Sequence, residues 1–126
     1  MSVKEKYQSV LNFGEQLNVQ NGRVEEENGV LRVWGTVQTP YEKVQIWDAI
    51  KAIGGASPTD IVADIQVSDP SIYTRHTVVK GESLSKIAKH YYDDMMLYNK
   101  IFEANRDQLK SADEIEIGQV LVIPNL

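Results

Sequence analysis

The residues best able to move protons near neutral pH are two histidines, His76 and His90. For nucleophilic catalysis one of them would have to stand between a serine and a carboxylate. His76 falls on a stretch that reads as a strand, and His90 ends a stretch that reads as a helix, beside Tyr91 and Tyr92. Both are expected to be partly exposed packing residues. A zinc site asks for three or four His, Cys or carboxylate ligands, which two scattered histidines and no cysteine do not supply. Carboxylates cluster at Glu25-Glu26-Glu27, Asp93-Asp94 and around Asp113 to Glu116. The run Asp113 to Glu116 has neither the spacing nor the central glycine of a calcium loop. These clusters read instead as strand ends, helix caps and a solvated loop. No glycine-rich, phosphate-cradling loop opens a helix. The chain is expected to have no catalytic residues and not to be an enzyme.

A length of 126 residues suits one ordinary domain or two small ones. The composition, 42% hydrophobic and 25% charged, is that of a globular protein rather than a disordered one. The net charge of −5 is uneven: residues 1–70 carry 6 Lys/Arg against 10 Asp/Glu, and residues 71–126 carry 7 against 8. Without a clustered basic stripe, binding to nucleic acid or to an anionic membrane is not expected. No apolar run exceeds four residues, so no membrane span is expected. The opening MSVKEKYQSV interleaves charges with apolar residues, unlike a secretory leader. Having no cysteine, the chain cannot use disulfides or thiol chemistry. The expectation is a cytoplasmic monomer.

Several elements must position whatever site exists. Ser2 with Glu5 reads as a capping box, and Val3, Tyr7, Val10, Leu11, Gly14 and Leu17 recur at helical spacing, predicting a helix over 3–17 that Asn21-Gly22 breaks. Strands at 23–27 and 30–37 flank Asn28-Gly29, the pair that a type I′ hairpin turn favours. On the second strand, Leu31, Val33, Gly35 and Val37 share one face. Thr39-Pro40-Tyr41-Glu42 starts a second helix with an apolar stripe of Val44, Trp47, Ile50 and Ile53, ended by Gly54-Gly55. Ile61, Ala63, Ile65 and Val67 alternate as a third strand, and 68–71 reads as a linker. The rest predicts a strand at 76–79, helices at 83–91 and 94–104, and a strand at 119–123. Leu84, Ile87, Ala88 and Tyr91 should line the third helix; Leu97, Tyr98, Ile101 and Phe102 should line the fourth.

The run HTVVKGESLSKIAKHYY resembles the opening of a LysM domain, and IFEANRDQLKSADEIEIGQVLVIP resembles its close, with Asn105 and Gly118-Gln119 matching and His76 standing where tyrosine is usual. The first 67 residues resemble a BON domain in element order and in the strand ending Gly35-Thr36-Val37. Together with Tyr98-Asn99-Lys100-Ile101-Phe102-Glu103-Ala104-Asn105, this pairing resembles the small cytoplasmic bacterial BON–LysM proteins. The implied class is α+β: an αββαβ BON-like domain over 1–70, then a βααβ LysM domain over 71–126.

That resemblance carries two functional expectations. The first is a potassium ion held by backbone carbonyls and ordering both domains, the protein acting as an ion sensor or buffer. The potassium-binding members of the family imply carbonyls in two pieces, matched here by Val10, Leu11 and Phe13 before Gly14-Glu15-Gln16-Leu17, and by Gly54 and Ala56. A competing alignment makes residues 3–17 no more than the first BON helix. The second expectation is an N-acetylglucosamine-type glycan, as on peptidoglycan, in a groove between Gly81, Glu82, Ser83, Leu84 and Ile115, Glu116, Ile117, Gly118. Against it, Gly81 and Gly118 serve equally well as turn glycines that merely fold the module.

Overall fold

The computed structural model describes residues 2–126. The chain divides into two compact units, one ending at Pro70 and the other running Ser71–Leu126. The class is α+β, as expected.

In the first unit the initial helix is split into α1, Val3–Lys6, and α2, Gln8–Gln16. The Ser2 side chain accepts the Glu5 N–H as expected, and the Glu26 carboxylate reaches across to the N–H groups of Val3 and Lys4. Tyr7 departs from helical geometry at the break, with φ −102° and ψ 17°. The helix ends at Gln16, close to the expected bound, and Asn18 just beyond it, with φ of 58°, turns the chain before Asn21-Gly22 is reached. Asn21-Gly22 lies inside β1, Gln20–Glu27, where the register with β2 shifts between Gln20 and Arg23. An Asn-Gly pair fits a bulge as well as a turn, because both need residues at positive φ.

β1 pairs antiparallel with β2, Val30–Val37, through the Asn28-Gly29 turn, with φ of 54° and 76° as type I′ requires. β2 pairs in parallel with β3, Ile61–Val67, so Leu31 lies opposite Ile61 and Gly35 opposite Ile65. A parallel pair needs a crossover, which α3, Pro40–Gly54, provides. The core gathers Tyr7, Val10, Leu31, Val33, Val37, Ile46, Ile50, Ile61 and Ile65. β1 buries nothing, so the core sits over β2 and β3.

One expectation about α3 fails. Val44 is exposed, and the buried line is Ile46 and Ile50, with Trp47 and Ile53 beside it. Residues spaced by three drift about 60° around a helix per step, whereas a four-residue step nearly holds its face. The stripe beginning at Val44 therefore winds out of the core.

The second unit pairs β4, Thr74–Thr77, antiparallel with β5, Val120–Ile123. β4 starts two residues earlier than the sequence suggests, because Tyr73 already donates its N–H to the Ile123 carbonyl. Between the strands lie α4, Leu84–Tyr92, a 3₁₀ turn, Met95–Leu97, and α5, Tyr98–Ala104. Leu84, Ile87 and Ala88 of α4, Ile101 of α5, and Leu121 and Ile123 of β5 form the core with Val78 and Leu109. Tyr98 is exposed, contrary to expectation. α5 begins at that residue, after a tighter 3₁₀ turn, so Tyr98 stands at the open end of the helix.

Buried Asn105 links helix to sheet. Its amide N–H groups donate to the carbonyls of Ile101, at 2.7 Å, and Val122, at 2.8 Å, while its oxygen accepts the Val122 N–H at 2.8 Å. Asn105→Ala would leave those groups without partners inside the module. The expected cost is on the order of 3 kcal/mol, read as a lower urea midpoint of the full chain.

Candidate functional site

Two places can do more than hold the fold, one in each unit. In the second unit, Val78 donates its N–H to the Gln119 carbonyl and accepts the Gly118 N–H at 2.8 Å. These bonds extend the β4–β5 ladder and bring the loop after β4 alongside the loop before β5. Gly81, Glu82, Ser83 and Leu84 follow Val78 in the first of these loops, and Ile115, Glu116, Ile117 and Gly118 belong to the second. Gly81 and Gly118 have φ of 88° and 87°, a left-handed conformation that favours glycine.

The side chains there have distinct tasks. Ser83 caps α4 by accepting the Lys86 N–H, Leu84 is buried, and Ile117 is 70% exposed, as Val79 is at 56%. Glu82 turns inward: its carboxylate accepts the Val79 N–H at 2.7 Å and lies 2.8 Å from His76 Nε2. His76 Nδ1 lies 2.6 Å from the Tyr91 hydroxyl. A hydroxyl, an imidazole and a carboxylate are in line, but the hydroxyl belongs to a tyrosine rather than a serine. The line ties β4, α4 and the loop between them together. Burial pushes the Glu82 carboxyl up, yet the hydrogen bonds from His76 and Val79 outweigh it and hold the group below the usual carboxylate range. Sequence reading assigned His76 to packing and missed this line. The available signal was a histidine at a tyrosine position, six residues before a glutamate.

In the first unit the relevant surface is backbone. Gly55 donates its N–H to the Lys51 carbonyl, and beyond it the carbonyls from Ala52 to Thr59 accept no hydrogen bond from a described residue. Gly54 and Ala56 are in this run. The Phe13 carbonyl, by contrast, accepts the Leu17 N–H, and Val10 and Leu11 lie inside α2, where the helical ladder uses their carbonyls.

The run is anchored at both ends. Asp60 accepts the Tyr7 hydroxyl at 2.6 Å and Lys6 Nζ at 2.5 Å, while its own carbonyl accepts the Leu31 N–H. Lys6, and then Tyr7, hold the Asp60 carboxyl below the usual range. Burial, with the Asp60 bond adding to it, pushes the Tyr7 phenol up to about 12. A Cβ on Gly54 would collide with the Tyr7 hydroxyl. Among the described residues no group of three His, Cys, Asp or Glu side chains could hold a metal ion, and no helix is long and apolar enough to cross a membrane.

With this geometry in hand, the class of the second unit is clear: residues 76–124 match the LysM domain family, and the chain is a LysM-containing protein. Over a longer stretch it is similar to the potassium binding protein Kbp of Escherichia coli O6:H1, with 41% identity over 91 residues, 71% of this chain and 58% of Kbp. An uncharacterized protein of Deinococcus radiodurans is 51% identical over 51 residues, 40% of this chain and 19% of that protein. An esterase of Mycobacterium tuberculosis is 38% identical over 74 residues, 59% of this chain but 16% of the esterase. The chain thus spans less than two thirds of each of these relatives. LysM domains are non-catalytic binding modules, and the segment shared with the esterase is a small part of that enzyme.

The depressed Glu82 carboxyl sets a pH dependence. A carboxyl held below its unfolded value contributes stability that is complete above that value, about 4.5, and is lost as pH falls through the folded one. Glu82→Gln should therefore lower the melting point at pH 7. The gap to the parent should close as pH falls below about 4.5, as measured by melting both proteins across pH 3–7.

Proposed function

We propose that this protein binds potassium reversibly through backbone carbonyls and serves as a cytoplasmic ion sensor or buffer, its first unit being BON-like. The observation that carries the reading is the carbonyl run from Ala52 to Thr59 at the end of α3, which accepts no hydrogen bond from a described residue. A helix C-terminus carries partial negative charge, and a large monovalent cation suits a set of carbonyl oxygens better than a carboxylate cluster. Similarity to a protein named for potassium binding supports the same reading. Of the carbonyls the sequence nominates, those of Gly54 and Ala56 are the stronger candidates. Those of Val10, Leu11 and Phe13 would have to share an oxygen already serving α2.

A ligand that binds the native state alone stabilises it by about 2.7 kcal/mol at a hundredfold excess over Kd. For a chain of this size that is a rise in melting point of roughly 8–14 °C. KCl should produce such a rise and NaCl at equal ionic strength much less. Equal rises would leave general salt screening as the explanation and end the potassium reading. If binding orders both units, amide exchange should slow in β2 and in β5 alike.

A second reading, binding of an N-acetylglucosamine-type glycan, is favoured by exposed Val79 and Ile117 beside the paired LysM loops. Apolar side chains of this kind can lie under a sugar face while loop amides and carbonyls meet its acetamido groups. Calorimetric titration with N-acetylglucosamine oligomers should then give saturable heat, weakened severalfold by Ile117→Ala. No heat at millimolar oligomer would remove this reading.

A further inference from the structure

We propose that Tyr7 is the positioning residue of the α3-end carbonyl run, its buried hydroxyl holding the two ends of that run in register for the ion. The inference rests on the potassium reading above and names the device that gives the site its shape. The run begins at the last turn of α3 and ends at Asp60. Both ends meet the same phenol oxygen: it donates to Asp60 Oδ1 at 2.6 Å, and it occupies the space where a Gly54 side chain would stand. Pro58 closes on Gly54 from the other side, where an added Cβ would come within 2.8 Å of it.

The residues between, Gly55, Ala56 and Ser57, are exposed, and beyond the bond from the Gly55 N–H to the Lys51 carbonyl no backbone hydrogen bond to a described residue fixes them. Left alone, such a segment would sample many conformations and offer its carbonyls at no set radius. Tyr7 is fully buried and sits at the break between α1 and α2, so it is itself held by the core. Lys6, one residue earlier, grips the second Asp60 oxygen, and the Leu31 N–H fixes the Asp60 carbonyl to β2. The carbonyl run is thus a short strap clamped at one end by a helix and at the other by Asp60, with Tyr7 touching both clamps.

A rigid strap distinguishes cations by the spacing of its oxygens; a loose one contracts onto a smaller ion. Tyr7→Phe, which keeps the ring and removes the clamp, should weaken potassium binding roughly tenfold. It should also move the ratio of potassium to sodium affinity toward one. The measurement is calorimetric titration of the full chain with KCl and with NaCl, ionic strength held by choline chloride.

Tyr92→Phe is the control, since it deletes a comparable phenol bond, 2.5 Å to the Pro124 carbonyl, in the other unit. It should leave potassium affinity and selectivity unchanged. A Tyr7→Phe protein that binds and selects as the parent does overturns the proposal, and so does an equal loss in Tyr92→Phe. If Tyr7→Phe does not fold, Asp60→Ala, which removes the oxygen that accepts the Tyr7 hydroxyl, is titrated in its place. Unchanged selectivity there also overturns the proposal. A parent chain with no preference for potassium would end the potassium reading itself, a result separable from any effect of Tyr7.

Discussion

Two strands of four residues do not hold one another in water. β4 and β5 persist because Leu121 and Ile123 turn from the ladder into a core closed by Leu84, Ile87, Ala88 and Ile101. Asn105 then fastens α5 to the Val122 backbone through both an N–H and a carbonyl. The constraint is severe for a unit of this size, because a small core leaves little stability in reserve. The same economy governs the first unit. β1 buries no side chain, so β2 must supply both a partner for each neighbouring strand and the central apolar face.

With the cores committed to packing, what remains for binding is backbone and loop. In the LysM unit, Gly118 and Val78 exchange a bond that sets two loops side by side, and Glu82 turns inward to stiffen one of them. In the first unit a helix ends in a string of carbonyls that accept no hydrogen bond from a described residue. Neither arrangement asks for a reactive side chain.

The elements most legible in the sequence were those whose period is sustained or whose turn chemistry is unambiguous. β2 and β3 follow from strict alternation, and the hairpin from Asn28-Gly29. α4 follows from Ser83 and the Leu84, Ile87, Ala88 spacing. Less legible were features decided by a partner far along the chain. The helix break at Tyr7 accompanies a bond to Asp60, fifty-three residues on, which no local pattern announces. Val44 belonged to a plausible three-residue rhythm that tertiary packing discarded in favour of Ile46 and Ile50. Asn21-Gly22 was a proper signal for positive φ attached to the wrong device, since it marks a bulge rather than a helix end. The loops flanking the β4–β5 pair could be nominated by resemblance, but the His76, Glu82 and Tyr91 line that stiffens one of them could not. A site made of carbonyls is hidden further still, because every residue has one.

In the LysM unit, Thr74 at the start of β4 lies opposite Ile123 at the end of β5. Antiparallel neighbours sit about 5 Å apart, so the chain arrives and departs at one edge, with the whole fold looped out between. A module with adjoining ends can be spliced into a loop of another protein without distorting its host, or threaded in series like beads. The similar segments in the Deinococcus and Mycobacterium proteins occupy less than a fifth of those chains. Adjoining ends make such a part portable.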